Sequence, residues 1–340
     1  MRQFFTLKKL AFFVVFSCVG QMAFAQQLPL YSQYMFNKFL INPAHAGSDG
    51  FTSYNITARE QWVGYSGAPR TYSFSGQTRF MKKSYRLKQN IWNRTKYVPK
   101  SEGKVGMGGY IFSDRNGLVQ RTGFQMAYSY HFWVADYTQL SLGLAMTGYY
   151  FKVNVDEGSF EYPNEPLLND KLRRGVFVPD IDFGAIILDP RYEIGFSALQ
   201  MAGAAAKIGN GAYHNYWMDR HFYLFGSYNL YSGTKTEWQP SILLKMSEQV
   251  RPQMDLGFNY IYDQSFWAGL AYRTGAGGAL IANVRFRFVP SRVMLTSMYF
   301  GYAFDFTLNK IQRATYGTHE VTLAIKFGDT NKKFRWLDRY

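Results

Sequence analysis

The stretch that decides the fold is Gly123-Phe124-Gln125-Met126-Ala127-Tyr128-Ser129-Tyr130-His131-Phe132. Every even position holds a large apolar side chain and every odd one a small or polar side chain. A period of two sends these sets to opposite faces of an extended strand. The pattern returns at Leu140, Leu142, Leu144 and Met146, and at Met254, Leu256, Phe258, Tyr260 and Tyr262. It returns again at Leu280, Ala282, Val284, Phe286 and Phe288, and at Val321, Leu323, Ile325 and Phe327. Turn signals separate the runs: Ala135-Asp136-Tyr137, Asp189-Pro190-Arg191, Ser232-Gly233-Thr234, Asp263-Gln264-Ser265 and Pro290-Ser291.

The apolar face says which all-β architecture this is. It is heavy in Tyr, Phe and Trp towards the run ends, whereas the opposite face holds Gly, Ser, Gln and scattered charges. A soluble sandwich would pack aliphatic faces together. A transmembrane antiparallel β-barrel turns the apolar face to lipid, with aromatic girdles and a polar lumen. Fourteen strands are expected, at 51–60, 70–80, 104–112, 121–133, 138–151, 178–188, 192–200, 220–231, 237–247, 252–262, 265–274, 279–288, 293–306 and 319–327. A mean hydropathy of −0.25 agrees, because only every second strand residue meets lipid.

Composition closes other routes. The 340 residues carry 38 Lys+Arg against 23 Asp+Glu, a net +15, with 30 Phe, 27 Tyr, 7 Trp and one Cys. Disordered chains lack such aromatic content, and one Cys cannot build a disulfide framework or a Cys-based zinc site. Arg2, Lys8 and Lys9, the apolar run Leu10–Val19 and Ala23-Phe24-Ala25 make residues 1–25 a cleavable signal peptide. Cutting instead before Cys18, as in a lipoprotein, is the weaker reading. Cleavage before Gln26 discards three positive charges, so +15 becomes +12, and Cys18 leaves with them. The destination is the outer membrane of a Gram-negative cell. Segment 26–50 is then a periplasmic or plug segment, 51–327 the barrel and 328–340 a tail.

An even strand number puts both chain ends in the periplasm. The short turns then fall on the periplasmic side, and the connections 152–177 and 201–219 outside. One connection breaks this asymmetry. Residues 81–103, on the periplasmic side, hold Lys82, Lys83, Arg86, Lys88, Arg94, Lys96 and Lys100, with Trp92 and Tyr97 among them. Counting the flanks Arg79 and Lys104 against Glu102 gives +8. The excursion is expected to dock an acidic protein partner, or alternatively to contact anionic outer-membrane lipid. A nucleic-acid role is set aside, because the charge sits on an exported membrane protein.

Ahead of the first strand stand Tyr31-Ser32-Gln33-Tyr34-Met35 and Asn42-Pro43-Ala44-His45-Ala46-Gly47; after it come Gln61-Trp62-Val63-Gly64 and Gly67-Ala68-Pro69-Arg70. This order and spacing resemble the PorP/SprF family of the Bacteroidetes type IX secretion and gliding machinery. His45 departs from it, since the family usually shows Tyr there. The resemblance implies a non-enzymatic outer-membrane accessory that helps secrete or anchor surface adhesins. Its implied partners are periplasmic type IX secretion components and a secreted adhesin or the adhesin's C-terminal targeting domain. The Asn42-Pro43-Ala44 block is also similar to one in FadL-type transporters, so passage of a hydrophobic small molecule is the alternative. No cofactor and no metal is expected.

Asp180-x-Asp182 and Asp219-x-His221 look like the paired residues of an omptin-like protease, in which a water is activated between the pairs. Such spacings are common at strand starts, and omptins have ten strands, so no catalytic residue is assigned. The acidic group Asp156, Glu157, Glu161, Glu165 and Asp170 lacks the ligand spacing of a cation site.

Overall fold

The computed structural model describes residue 29 and residues 31–328, apart from 84–100, 136, 155–174, 203–204, 208–214, 218, 249, 276–277 and 292–295. The expected signal peptide, the acidic group at 156–170 and most of the basic excursion lie outside the described residues.

Fourteen antiparallel strands close into one barrel. They are β1 (Thr52–Glu60), β2 (Arg70–Lys83), β3 (Ser101–Asn116), β4 (Val119–Trp133), β5 (Gln139–Val153), β6 (Val176–Leu188) and β7 (Tyr192–Leu199). Then come β8 (His221–Tyr228, continued at Leu230–Ser232), β9 (Thr236–Ser247), β10 (Gln253–Tyr262), β11 (Phe266–Arg273), β12 (Ala279–Ser291), β13 (Thr296–Thr307) and β14 (Thr318–Phe327). Closure is made by β1 on β14, from Thr52 opposite Phe327 to Glu60 opposite His319. A short ribbon, Ala205–Lys207 with Asn215–Trp217, stands outside the barrel order. Below, the end where β1 begins and β14 finishes is the near end, and the opposite one the far end.

Period two has the expected consequence. In β4, Met126 is 68% exposed while its neighbour Gln125 is 3% exposed. Outward positions at strand centres are apolar, aliphatic or thioether at Ile56, Met126, Met146 and Leu270 and aromatic at Phe183 and Phe258. Outward positions towards strand ends are aromatic: Tyr72, Tyr130, Tyr150, Phe177, Tyr262 and Tyr272. The buried face is polar, with Ser53, Asn55, Thr57, Ser75, Ser129, Ser141 and Ser197 among its members. This is the inverse of a water-soluble core and the arrangement a bilayer demands.

Prolines mark the breaks in the ladder, because proline has no N–H to donate. Pro179 lies in the part of β6 beyond Phe183, where the register with β7 stops. Pro240 of β9 faces the interruption of β8 at Asn229. Pro290 sits in the β12 irregularity between Phe288 and Ser291, so this strand runs past the expected turn at Pro290-Ser291. At the near end, Tyr262 to Ser265 turns with Asp263 and Gln264 both at φ 50, the doubly left-handed geometry that suits a hairpin's twist.

Two limits of the basic excursion change. β2 and β3 continue past a bulge to pair Lys82 with Glu102 and Lys83 with Ser101, so the connection itself is 84–100. Arg79 is buried, and its guanidinium donates to the Gly103 carbonyl at 2.8 Å and to Gln139 Oε1 at 2.6 Å. It belongs to the lumen and leaves the charge count of the excursion.

Met126 is the central residue of β4, so the lipid-facing assignment can be tested there. Met126→Arg should cost about 2–4 kcal/mol in reversible folding into liposomes. Met126→Leu should stay within about 1.5 kcal/mol.

Candidate functional site

Residues 31–51 lie inside the ring of inward-facing side chains, buried except for the half-buried Met35, Phe36, Lys38 and Asp49. Local chemistry sets their path. Asn42 caps a one-turn 3-10 helix, Pro43–His45, its Oδ1 accepting the Ala44 N–H at 2.9 Å. Pro43 opens this turn, where its missing N–H costs nothing and its φ is already set. Gly47 follows at φ 65, with Thr78 O only 2.5 Å from where a Cβ would stand. No other residue type fits that approach.

The segment is held at two seats. At the first, the Ser32 and Gln33 backbone N–H groups donate to the two oxygens of Glu320 at 2.7 and 2.8 Å. Ser32 Oγ donates to Asp305 at 2.6 Å and accepts from Arg59 at 2.7 Å. Gln33 Nε2 donates to the Glu320 carbonyl at 2.9 Å, while its Oε1 accepts from Thr322 at 2.9 Å. Arg59 also bridges Asp305 (2.8 Å) and Glu320 (3.1 Å). Arg273 extends the network, reaching Asp255 through Nε and Nη2 at 3.0 Å each, and Lys245 joins Asp255 at 2.9 Å. Buried charges of this kind survive only when each has a partner.

The second seat is built from glycines. A Cβ on Gly184 would stand 2.0 Å from Asn42 Oδ1, one on Gly143 2.3 Å from Ala44 N, and one on Gly106 1.9 Å from Ala46 O. These gaps let the segment's backbone meet the wall's. Asn42 Nδ2 donates to the Phe196 carbonyl at 2.9 Å and Ser197 Oγ to the Ile41 carbonyl at 2.6 Å. Ser129 Oγ donates to the Ala46 carbonyl. His131 Nε2 lies 3.0 Å from that same carbonyl and must carry its proton there. Its Nδ1 then accepts from Ser141, which accepts from Gln139.

Near the near end, Lys38 pairs with Glu193, and Lys326 with Asp49 at 2.9 Å. Arg285 stacks over Phe36 and Tyr299 at 4.5 and 4.3 Å. All of these groups except Tyr299 line a vestibule of about 160 Å³. His45 stands 3.2 Å from Glu193, yet burial outweighs that carboxylate and pushes the imidazole down to about 4. A smaller cavity of about 50 Å³ lies towards the far end, between Pro29, Tyr31, Tyr110, Tyr149, Leu199 and Tyr223.

The predicted residues therefore separate. Tyr31, Ser32, Gln33, Tyr34, Met35, Asn42, Pro43, Ala44 and Gly47 share the lumen. Trp62, Gly67 and Pro69 lie apart from them, in the far-end loop joining β1 to β2, and Arg70 opens β2. Lys82 and Lys83 are strand residues, whereas Arg86, Lys88, Trp92, Arg94, Lys96 and Tyr97 fall outside the described residues. Asp180 and Asp182 accept the Ala202 and Gln200 N–H groups at 2.9 and 2.8 Å, which fastens the chain leaving β7. His221 Nδ1 lies 2.8 Å from the carbonyl of Asp219 rather than from its carboxylate. Missed in the sequence were Arg59, Asp255, Arg273, Asp305 and Glu320. A charge at an inward position of an alternating strand was the available signal.

The family described as type IX secretion system membrane protein PorP/SprF matches residues 23–325. No curated protein matches the sequence. Among solved structures, the CymD monoaromatic hydrocarbon channel is similar at 12% identity and a TM-score of 0.48, covering 90% of this chain and 95% of that one. A Pseudomonas aeruginosa FadL homologue is similar at 11% identity and a TM-score of 0.45, covering 90% and 96%. Acinetobacter baumannii Omp33 stands at 8% identity and a TM-score of 0.41, covering 82% and 99%.

Glu320→Ala removes the acceptor of two backbone N–H groups and leaves Arg59 short of a partner. It should cost about 3–5 kcal/mol and expose 31–47 to protease while the strands stay resistant. His45 makes a pH test. Unfolded, its imidazole takes a proton near pH 6.5; folded, only near 4. The neutral ring's contribution is thus present above 6.5 and is lost as pH falls from 6.5 to about 4. His45→Tyr should remove up to about 3 kcal/mol of that pH dependence, read from denaturation midpoints at pH 7 and pH 4.

Proposed function

The chain belongs to the PorP/SprF family of type IX secretion system membrane proteins, and we propose that it acts there as an outer-membrane docking component with partners on both membrane faces. It helps to secrete or anchor surface adhesins without catalysing a reaction. The observation that carries this reading is the family match across nearly the whole barrel. The near end faces the periplasm, in keeping with its short turns.

The basic connection supplies the mechanism on that side. With Arg79 turned inward, Lys82, Lys83, Arg86, Lys88, Arg94, Lys96, Lys100 and Lys104 oppose Glu102, a net +7. A local charge of this size steers an acidic periplasmic component of the machinery to the membrane, and Trp92 and Tyr97 anchor it. Segment 26–50 serves as a plug, so the lumen is closed while the outer surfaces do the work. The seats described above support this, since two walls of the barrel hydrogen-bond directly to the segment.

Passage of a hydrophobic small molecule is the second reading. It is favoured by the tyrosines and leucines around the far-end cavity. Its obstacle is volume: about 50 Å³ is well below the 300–1,000 Å³ of ordinary small-molecule sites. The segment would first have to move.

Deleting the gene separates the two readings. Loss of surface adhesins with normal uptake is the expected result; normal adhesin display with lost uptake of a hydrophobic nutrient would sink the docking reading. A finer test replaces Lys82, Lys83, Arg86 and Lys88 by Glu. Co-purification with periplasmic secretion components should then fall by about tenfold or more at low salt. An unchanged pull-down would point to lipid contact.

A further inference from the structure

The loop joining β1 to β2 holds the sequence block that the lumen does not use, Gln61-Trp62-Val63-Gly64 and Gly67-Ala68-Pro69-Arg70. It is no slack connection. Val63 N–H donates to the Gly317 carbonyl at 2.9 Å, and Tyr316 N–H returns a bond to the Val63 carbonyl at 2.8 Å. Trp62 N–H reaches Thr318 Oγ1 at 3.2 Å, and Gly117 N–H donates to the Gly67 carbonyl at 3.1 Å. Three far-end connections are thereby braced together.

The bracing has a conformational cost. Trp62 is held at φ 51, a left-handed backbone that non-glycine residues avoid. Gly64, at φ 93, lies under the Tyr316 ring, which would stand 2.9 Å from a Cβ. Backbone strain persists where surrounding structure over-determines it, and it gathers at ligand clamps. What this arrangement displays is aromatic. Tyr316 is 78% exposed, more than any other large apolar residue described, and Tyr65 is 52% exposed. Both lie in connections beyond the strand ends, and the backbone beneath them is fixed.

Cations outnumber carboxylates in the segments that carry these rings. Across 60–70 and 308–317 the cations are Arg70, Lys310 and Arg313, all exposed, while the single carboxylate is Glu60. Glu60 already accepts the Tyr72 hydroxyl at 2.9 Å. Rigid tyrosines in connections that also carry Arg and Lys have the composition of a protein-binding hot spot. Charge complementarity selects its occupant.

We propose that this far-end rim, built on Trp62, Tyr65, Tyr316, Arg70, Lys310 and Arg313, is a docking platform for an acidic, extended segment of a protein partner at the cell surface. The proposal rests on the orientation given above, with the near end in the periplasm. The tyrosine rings cover the partner's apolar side chains, and the three cations meet its carboxylates. Attraction of exposed charges is screened by salt, so docking weakens as ionic strength rises.

The test is made on intact cells carrying the full-length protein. Tyr316→benzoylphenylalanine places a photo-crosslinker on the platform, and the captured peptide is sequenced by mass spectrometry. Capture of a peptide of net negative charge is expected. It should fall about tenfold when Lys310→Glu and Arg313→Glu are added, with the barrel's abundance unchanged, and should also fall in roughly 0.5 M salt. Capture of lipopolysaccharide or of a neutral or basic peptide, or capture indifferent to charge reversal, overturns the proposal. Tyr65→Cys supplies the separate control on orientation. Labelling by a membrane-impermeant maleimide is expected, and its failure overturns the orientation and with it this platform, whereas labelling without acidic capture overturns the platform alone.

Discussion

Within hydrocarbon no water can satisfy a backbone N–H or C=O, and everything else in this protein follows from that constraint. The ladder must close on itself, which it does where β1 meets β14. Every strand must then present one face to lipid and the other inward. Even the irregularities obey it. Three strand prolines stand at an unpaired stretch, a strand interruption and a bulge, the places where a missing N–H removes no ladder bond.

Closure creates a second problem inside. A ring of fourteen strands with a polar inner face encloses serines, asparagines, arginines and carboxylates that need partners. The segment at 31–51 supplies many of them with its own backbone. Glu320 takes two of its N–H groups, and Ser129 and His131 both address the Ala46 carbonyl. Arg59 and Arg273 keep the acids of the wall compensated, and the seated segment adds backbone and side-chain partners to that network. The two conditions reinforce each other: the wall needs the segment's donors, and the segment needs the wall's glycines to come close enough to give them.

Much of this was legible in the sequence, for a physical reason. Alternation is a local property and survives whatever the strand packs against, so strand number, order and lipid face could all be read from it. The motif at 31–47 could be recognised and expected to be buried. What it touches could not be read, because Glu320 lies 288 residues from Ser32 and the two meet only through closure. Arg79 is the instructive case. Counted by position, it joined the basic excursion; its side chain turns inward to Gly103 and Gln139. Strand ends were misplaced at Lys83 and Ser291 because a bulge in each case lets pairing resume beyond the break in register.

The sequence alone thus determined the barrel, its lipid-facing residues and the concentration of positive charge in one connection, since each depends on residue type and spacing along the chain. Tertiary structure decided that the two halves of the N-terminal motif part company. One half enters the lumen, where Gly106, Gly143 and Gly184 leave room for its backbone. The other stays at the far rim, tied to Val63's partner Gly317. Spacing could not separate them, because both fates are fixed by residues distant in sequence that only the closed ring brings alongside.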